Sequence, residues 1–225
     1  MAFPVSDRCH ESPRVRSRAA ALVAIALLTG GCSINLGSFS LSEKEEPARV
    51  VSSNVPSSLA PTKDELNEAH EATKRGQTLA RSGKNVEALA EFNNAINLDP
   101  HSPDAFYKRG LLYQGEKQHE QAIEDFTAAS GLSPQRAEPL LGRAISYLAT
   151  DKVREAAADL DEAAQFAPQN AQIWSTRGLA YERLGDKPKA AGSYSRAIAL
   201  RPKDEAARSG FARVGGKDGQ NYDTF

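Results

Sequence analysis

"DAFYKRGLLYQGEKQHEQAIEDFTAASGLSP", residues 104–134, carries two helical faces and a stop. Phe106, Gly110 and Tyr113 are spaced four and three apart, as one face of a helix requires, and Ala122, Phe126 and Ala129 repeat that spacing for a second helix. Pro134 closes the pair because proline cannot continue a helix. The stretch therefore reads as a helix hairpin, and the register is not confined to it. Pro100, Pro134, Pro168 and Pro202 stand thirty-four residues apart, as do Ala88, Ala122, Ala156 and Ala190, and again Ala95, Ala129, Ala163 and Ala197. Three registers in phase over four copies define an internal repeat with units 69–102, 103–136, 137–170 and 171–204.

In length and in residue types the unit resembles the tetratricopeptide repeat. The family's signature positions fall at Phe106, Gly110, Tyr113, Ala122, Phe126, Ala129 and Pro134 in the second copy, and at Trp174, Gly178, Tyr181, Ala190, Tyr194, Ala197 and Pro202 in the fourth. Copies one and three depart from the pattern, with Ala72 and Leu140 at the tryptophan position and Leu79 and Leu160 at aromatic ones. Small residues at the eighth place (Gly76, Gly110, Ala144, Gly178) allow two helix backbones to approach closely. A single hairpin cannot bury its apolar face, so stacking is required. The fold class expected is all-α, and the resemblance implies a right-handed superhelix with a concave inner surface.

Order is expected from Thr62, because "TKDE" has the threonine and the glutamate three residues later that form a capping box. After the fourth copy, "EAARSGFARV" (205–214) reads as a terminal capping helix with Phe211 as its inward anchor, and 215–225 as a disordered tail.

The seventh place is arginine in every copy: Arg75, Arg109, Arg143 and Arg177. Sixteen residues on stand Glu91, Asp125 and Asp159, with Ser193 in the fourth copy. Pairs Arg75–Glu91, Arg109–Asp125 and Arg143–Asp159 would hold each hairpin by a charge-assisted bond; the competing reading is an arginine ladder for acidic ligands. The resemblance places the inner face at first-helix positions two, five, nine and twelve. This gives an apolar stripe of Tyr107, Leu111, Leu141, Ile145, Leu148 and Leu179, rimmed by Asp104, Glu138, Gln172 and Glu182. Such a groove suits an amphipathic helix or an extended peptide with apolar anchors and basic flanks. The competing reading is that neighbouring first helices bury these side chains against each other. Thr73 and Gln77 replace the lysine and asparagine with which family members clamp an acidic C-terminus, so a carboxylate clamp is not expected.

The N-terminal 61 residues are of another kind. Arg8, Arg14, Arg16 and Arg18 precede the uncharged run "AAALVAIALLT", which is too short to cross a bilayer, and "GGCS" follows it. Residues 1–31 read as a secretory signal. Gly31 and Cys32 resemble the lipidation box of bacterial lipoproteins, although Thr29 stands where leucine is usual. Cleavage before Cys32 without acylation, giving a soluble periplasmic form, is the competing reading. With acyl chains on Cys32 release from the membrane would be very slow. Ser33, where aspartate would resemble the inner-membrane retention signal, favours the inner leaflet of the outer membrane. Residues 32–61, rich in serine and proline, read as a flexible tether carrying Cys32.

Composition narrows the function. A formal net charge of −1 with both signs interspersed gives no basic stripe, so nucleic acid is not an expected partner. His10, His70, His101 and His119 fall at unrelated repeat positions, with no metal-ligand spacing and no G-x-S-x-G, phosphate-binding or dinucleotide motif. No cofactor, metal, small-molecule substrate or enzymatic activity is expected. Two functions remain: an envelope adaptor whose groove binds other envelope proteins, or a fixed structural subunit of an outer-membrane complex.

Overall fold

The structure, a computed structural model, describes residues 60–217. The signal segment 1–31, Cys32, the tether as far as residue 59 and the tail from 218 lie outside the described residues. Nine α-helices and no strands make up the described part: α1 (Lys63–Arg81), α2 (Asn85–Leu98), α3 (Pro103–Gly115), α4 (His119–Leu132), α5 (Ala137–Ala149), α6 (Val153–Phe166), α7 (Ala171–Leu184), α8 (Lys187–Leu200) and α9 (Glu205–Arg213). Each begins or ends for a local reason. At α1 the Glu65 N–H donates to Thr62 Oγ1 (3.2 Å) and the Thr62 N–H donates to Glu65 Oε2 (2.7 Å), closing the capping box. Ser102, Asn170, Asp186 and Asp204 accept from first-turn amides of α3, α7, α8 and α9. The four repeat prolines each stand two residues beyond the last residue of a second helix.

Every helix packs on its sequence neighbours, and the first helices also touch one another in the order α1, α3, α5, α7, with α7 reaching α9. The second helices α2, α4, α6 and α8 make no such contacts among themselves. The first helices are thus drawn together on one side while the second helices splay on the other, which is the geometry of a curved solenoid.

Aromatic rings fill the space between helices. Phe92, Phe126 and Tyr194 are fully or nearly fully buried. A Cβ built on Gly76 would stand 2.8 Å from the Phe92 ring, one on Gly110 2.9 Å from Phe126, and one on Gly178 2.6 Å from Tyr194. In the third hairpin the equivalents are Ala144 and Leu160, both buried: where the ring is replaced by leucine, a methyl group is accommodated on the facing helix. The rings also reach the next unit, since a Cβ on Gly142 would meet Phe126 at 2.7 Å and one on Gly210 would overlap Tyr194. The cap α9 buries Phe211 and Ala207 in the core that begins in the third hairpin.

The turns inside the hairpins share a left-handed residue that the sequence pattern did not announce. Gly83 (φ 77°), Lys117 (φ 62°), Asp151 (φ 62°) and Gly185 (φ 79°) stand at equivalent places. Glycine adopts this conformation freely, whereas Lys117 and Asp151 adopt it against a penalty of about 1 kcal/mol each.

Candidate functional site

The arginine series occupies the cleft between first and second helices. Arg109 Nε and Nη2 donate to the two carboxylate oxygens of Asp125 at 2.8 and 2.7 Å. Arg143 meets Asp159 with the same fork at 2.8 and 2.8 Å. Arg75 Nε donates to Glu91 (3.0 Å), and its Nη2 to Glu68 on its own helix (2.9 Å). Each later arginine also reaches the preceding hairpin: Arg109 donates to Asn93 Oδ1 (2.6 Å), Arg143 to Thr127 Oγ1 (3.1 Å) and Arg177 to Asp161 Oδ1 (2.7 Å). Arg177 completes its set with the Ser193 hydroxyl (2.7 Å). One guanidinium therefore bridges the second helices of two successive hairpins. In the fourth copy the roles exchange, with the carboxylate on the preceding hairpin and the hydroxyl on its own. Asn93, Thr127 and Asp161 lie thirty-four residues apart, and that register was the available signal. Their different chemistry concealed it.

Charge and burial act in opposite directions on this cleft. The bonds to Asp125 raise the Arg109 guanidinium above its ordinary value, while burial raises the Asp125 carboxyl despite its partner. The second shift records desolvation of a residue that is 4% exposed, and the two-bond fork keeps the guanidinium charged. Beside Arg177, the Tyr181 hydroxyl donates to Asp161 Oδ2 (2.7 Å), and burial followed by this bond pushes its pKa up to about 12.

The apolar stripe divides. Leu111 and Leu179 are 38% and 39% exposed on the first-helix side. Leu141 and Leu148, each 8% exposed, belong to the core, and Ile145 packs against it. Of the six side chains expected to line the groove, these three pack in or against the core. Helix α5 lies between α3 and α7, tied to the first by Gln114 Nε2 donating to Gly142 O and Ser146 Oγ (both 2.8 Å). The second tie is Arg183, which donates to Leu148 O (2.7 Å). Tyr107 is half-buried, its ring 5.9 Å from that of Phe126 and faced by Arg136 at 5.6 Å.

The acids expected at the rim have partners within the chain. Glu182, placed among the groove residues, accepts from Tyr194 (2.6 Å) and from Arg213 of α9 (2.7 and 2.9 Å), and the Arg213 bonds hold its carboxyl below the usual range. Asp104 accepts from Arg136 (2.7 Å), which also stands 3.7 Å from Glu138. Thr73, at the clamp position, is buried and donates to Ala69 O (2.9 Å). Two pockets adjoin the exposed leucines. One of about 290 Å³ is lined by Gln77, Ala80, Arg81, Phe92, Lys108, Leu111 and Leu112. Another of about 380 Å³ lies beside Leu179 and involves Thr176, Tyr194, Ser209 and Arg213.

Among the described residues no group of histidines, cysteines or carboxylates could hold a metal ion, and no helix is long and apolar enough to cross a membrane.

A solenoid of helix hairpins, closed by a terminal helix and concave along its first helices, defines a helical-repeat protein. Family models agree: a TPR-repeat model matches residues 76–115, and tetratricopeptide-repeat models match 103–136 and 141–205. The chain belongs to the tetratricopeptide-repeat family. Solved structures share the fold. The MamA protein is similar at 20% identity and TM-score 0.62, with 66% of this chain and 81% of that chain covered. A thermophilic TPR protein of Thermus thermophilus is similar at 24% identity and TM-score 0.54, covering 65% and 80%. The first TPR of Spaghetti (RPAP3), bound to an HSP90 peptide, is similar at 21% identity and TM-score 0.52, covering 53% and 95%. Among curated proteins no sequence match is found.

Proposed function

We propose that the chain is a non-enzymatic interaction scaffold of the bacterial cell envelope. Its concave first-helix face receives a peptide or helix of a partner protein, and Cys32 anchors it by acyl chains to the inner leaflet of the outer membrane. The observation that carries the groove is the exposure of Leu111 and Leu179 at equivalent ninth positions of two first helices. A protein of the same fold, the first TPR of Spaghetti, holds a peptide. The arginine series is internal structure on this reading, because all four guanidinium groups are engaged by carboxylates, amides or hydroxyls of their own chain.

Serine at both Leu111 and Leu179 is expected to cut recovery of partners from solubilised membranes at least tenfold. Both sites are partly exposed, so the melting temperature should stay within about 4 °C of the parent. Undiminished recovery would place the partner elsewhere, and a large fall in melting temperature would make the stripe core.

The anchor rests on "LLTGGCS" (27–33) and has its own test. Cys32→Ser is expected to move the protein from the membrane to the soluble fraction, with a mass lacking acyl increments. A variant that still partitions into detergent would exclude the anchor.

A further inference from the structure

The charges beside the groove differ from those that the sequence pattern suggested. Of the acids expected to rim it, Asp104 and Glu138 are met by Arg136, and Glu182 by Arg213 and Tyr194. These carboxylates already have partners within the chain. The pocket between α1 and α3 is lined by two cations and no carboxylate. Arg81, in the last turn of α1, is exposed and makes no hydrogen bond or ion pair among the described residues. Lys108 is half-buried and, among the described residues, faces the Tyr107 ring, 5.5 Å away, with no ion pair. The equivalent of Arg81 in the fourth copy, Arg183, is by contrast engaged by Leu148 O and Asp151. Between the two cations lies an apolar surface of Ala80, Phe92, Leu111 and Leu112, with Leu111 38% exposed.

We propose that the segment received at the α1–α3 end of the groove is acidic, an extended peptide in which aspartate or glutamate flanks apolar side chains. This rests on the groove reading given above and reverses the basic flanks that the rim residues suggested. An apolar anchor packs against Leu111 and Leu112 at this pocket, while carboxylates of the same segment lie against Arg81 and Lys108. Among the described residues the cations have no carboxylate to exchange, so an incoming acid meets two cations not already paired there, whereas a basic segment meets two like charges across an apolar surface. Thr73 and Gln77 cannot supply a terminal-carboxylate clamp, so recognition is by side-chain carboxylates and does not require a free C-terminus.

A displayed library of random 12-residue peptides, selected on the full chain at low salt, tests this. The expected result is enrichment of sequences combining Leu, Ile or Phe with Asp or Glu, whose binding falls about tenfold on raising the salt from 0.05 to 0.5 M. Arg81→Gln with Lys108→Gln should weaken them by about tenfold, and Arg81→Glu with Lys108→Glu should select basic peptides instead. Leu111→Ser should abolish enrichment. Neutral or basic peptides from the parent, or an unchanged set from the glutamine variant, would overturn the acidic partner while leaving the groove. No enrichment, or enrichment that survives Leu111→Ser, would overturn the groove itself.

Discussion

Phe126→Ala is expected to lower stability by about 3–5 kcal/mol, which for a repeat region of this size is a fall in melting temperature of about 6–20 °C. The ring is fully buried and fills two interfaces at once. It occupies the space left by Gly110 within its own hairpin and by Gly142 on the next, at distances where a Cβ on either would overlap it. Alanine therefore opens a cavity that no single neighbour can close. In a linear array the coupling between successive hairpins sets how far unfolding spreads, so the transition should broaden or split as the first two hairpins part from the rest. A single sharp transition within about 3 °C of the parent, followed by circular dichroism, would contradict this account of the packing.

Arg109→Ala should be nearly as damaging for a different reason. Its removal leaves the Asp125 carboxylate, 6% exposed at the side chain, without its two-bond partner, and also releases Asn93 of the preceding hairpin. The expected loss is about 2–4 kcal/mol at neutral pH. Burial already raises the Asp125 carboxyl above its ordinary value, and without Arg109 it should rise further. A group whose folded pKa exceeds its unfolded one favours the fold below the unfolded pKa and loses that advantage as pH rises. The deficit of the variant relative to the parent should therefore shrink as pH is lowered from about 7 toward about 4.5. Adding Asp125→Asn should recover part of the loss, giving less than the sum of the single effects. A deficit independent of pH, or strict additivity, would contradict an internal pair.

The fold was legible because one requirement repeats. Close helix approach and a proline stop recur every thirty-four residues, so chemistry too weak to read in the first or third copy is fixed by the second and fourth. The hairpin turn escaped notice because its left-handed residue is glycine only at 83 and 185, and the energetic cost is borne by Lys117 and Asp151 without a visible pattern. The inter-hairpin partners of the arginines escaped for a related reason: an amide, a hydroxyl and a carboxylate accept the same bond, so Asn93, Thr127 and Asp161 share a role without sharing a type.

The groove was legible only in outline. The family resemblance places Leu111, Leu141, Ile145, Leu148 and Leu179 on the inner side of the first helices, but depth depends on how closely the neighbours stand. Leu141 and Leu148, at the fifth and twelfth places of α5, are buried, whereas Leu111 and Leu179, at the ninth place of α3 and α7, are partly exposed. The fate of Glu182 depended on Arg213, thirty-one residues away on the capping helix, and no local pattern announces such a pair. Among the described residues the charges beside the apolar surface that no carboxylate meets are those of Arg81 and Lys108, which repeat position alone did not single out.

The central claim is that a partner lies along the first-helix face. Photoreactive side chains placed singly at 111, at 179 and at 86 test it most directly in intact cells, because Val86, 79% exposed, stands on second helix α2 and lines neither pocket beside the exposed leucines. The account predicts crosslinks to the same partner from 111 and 179 and none from 86. Capture from 86 with none from 111 or 179 would contradict it.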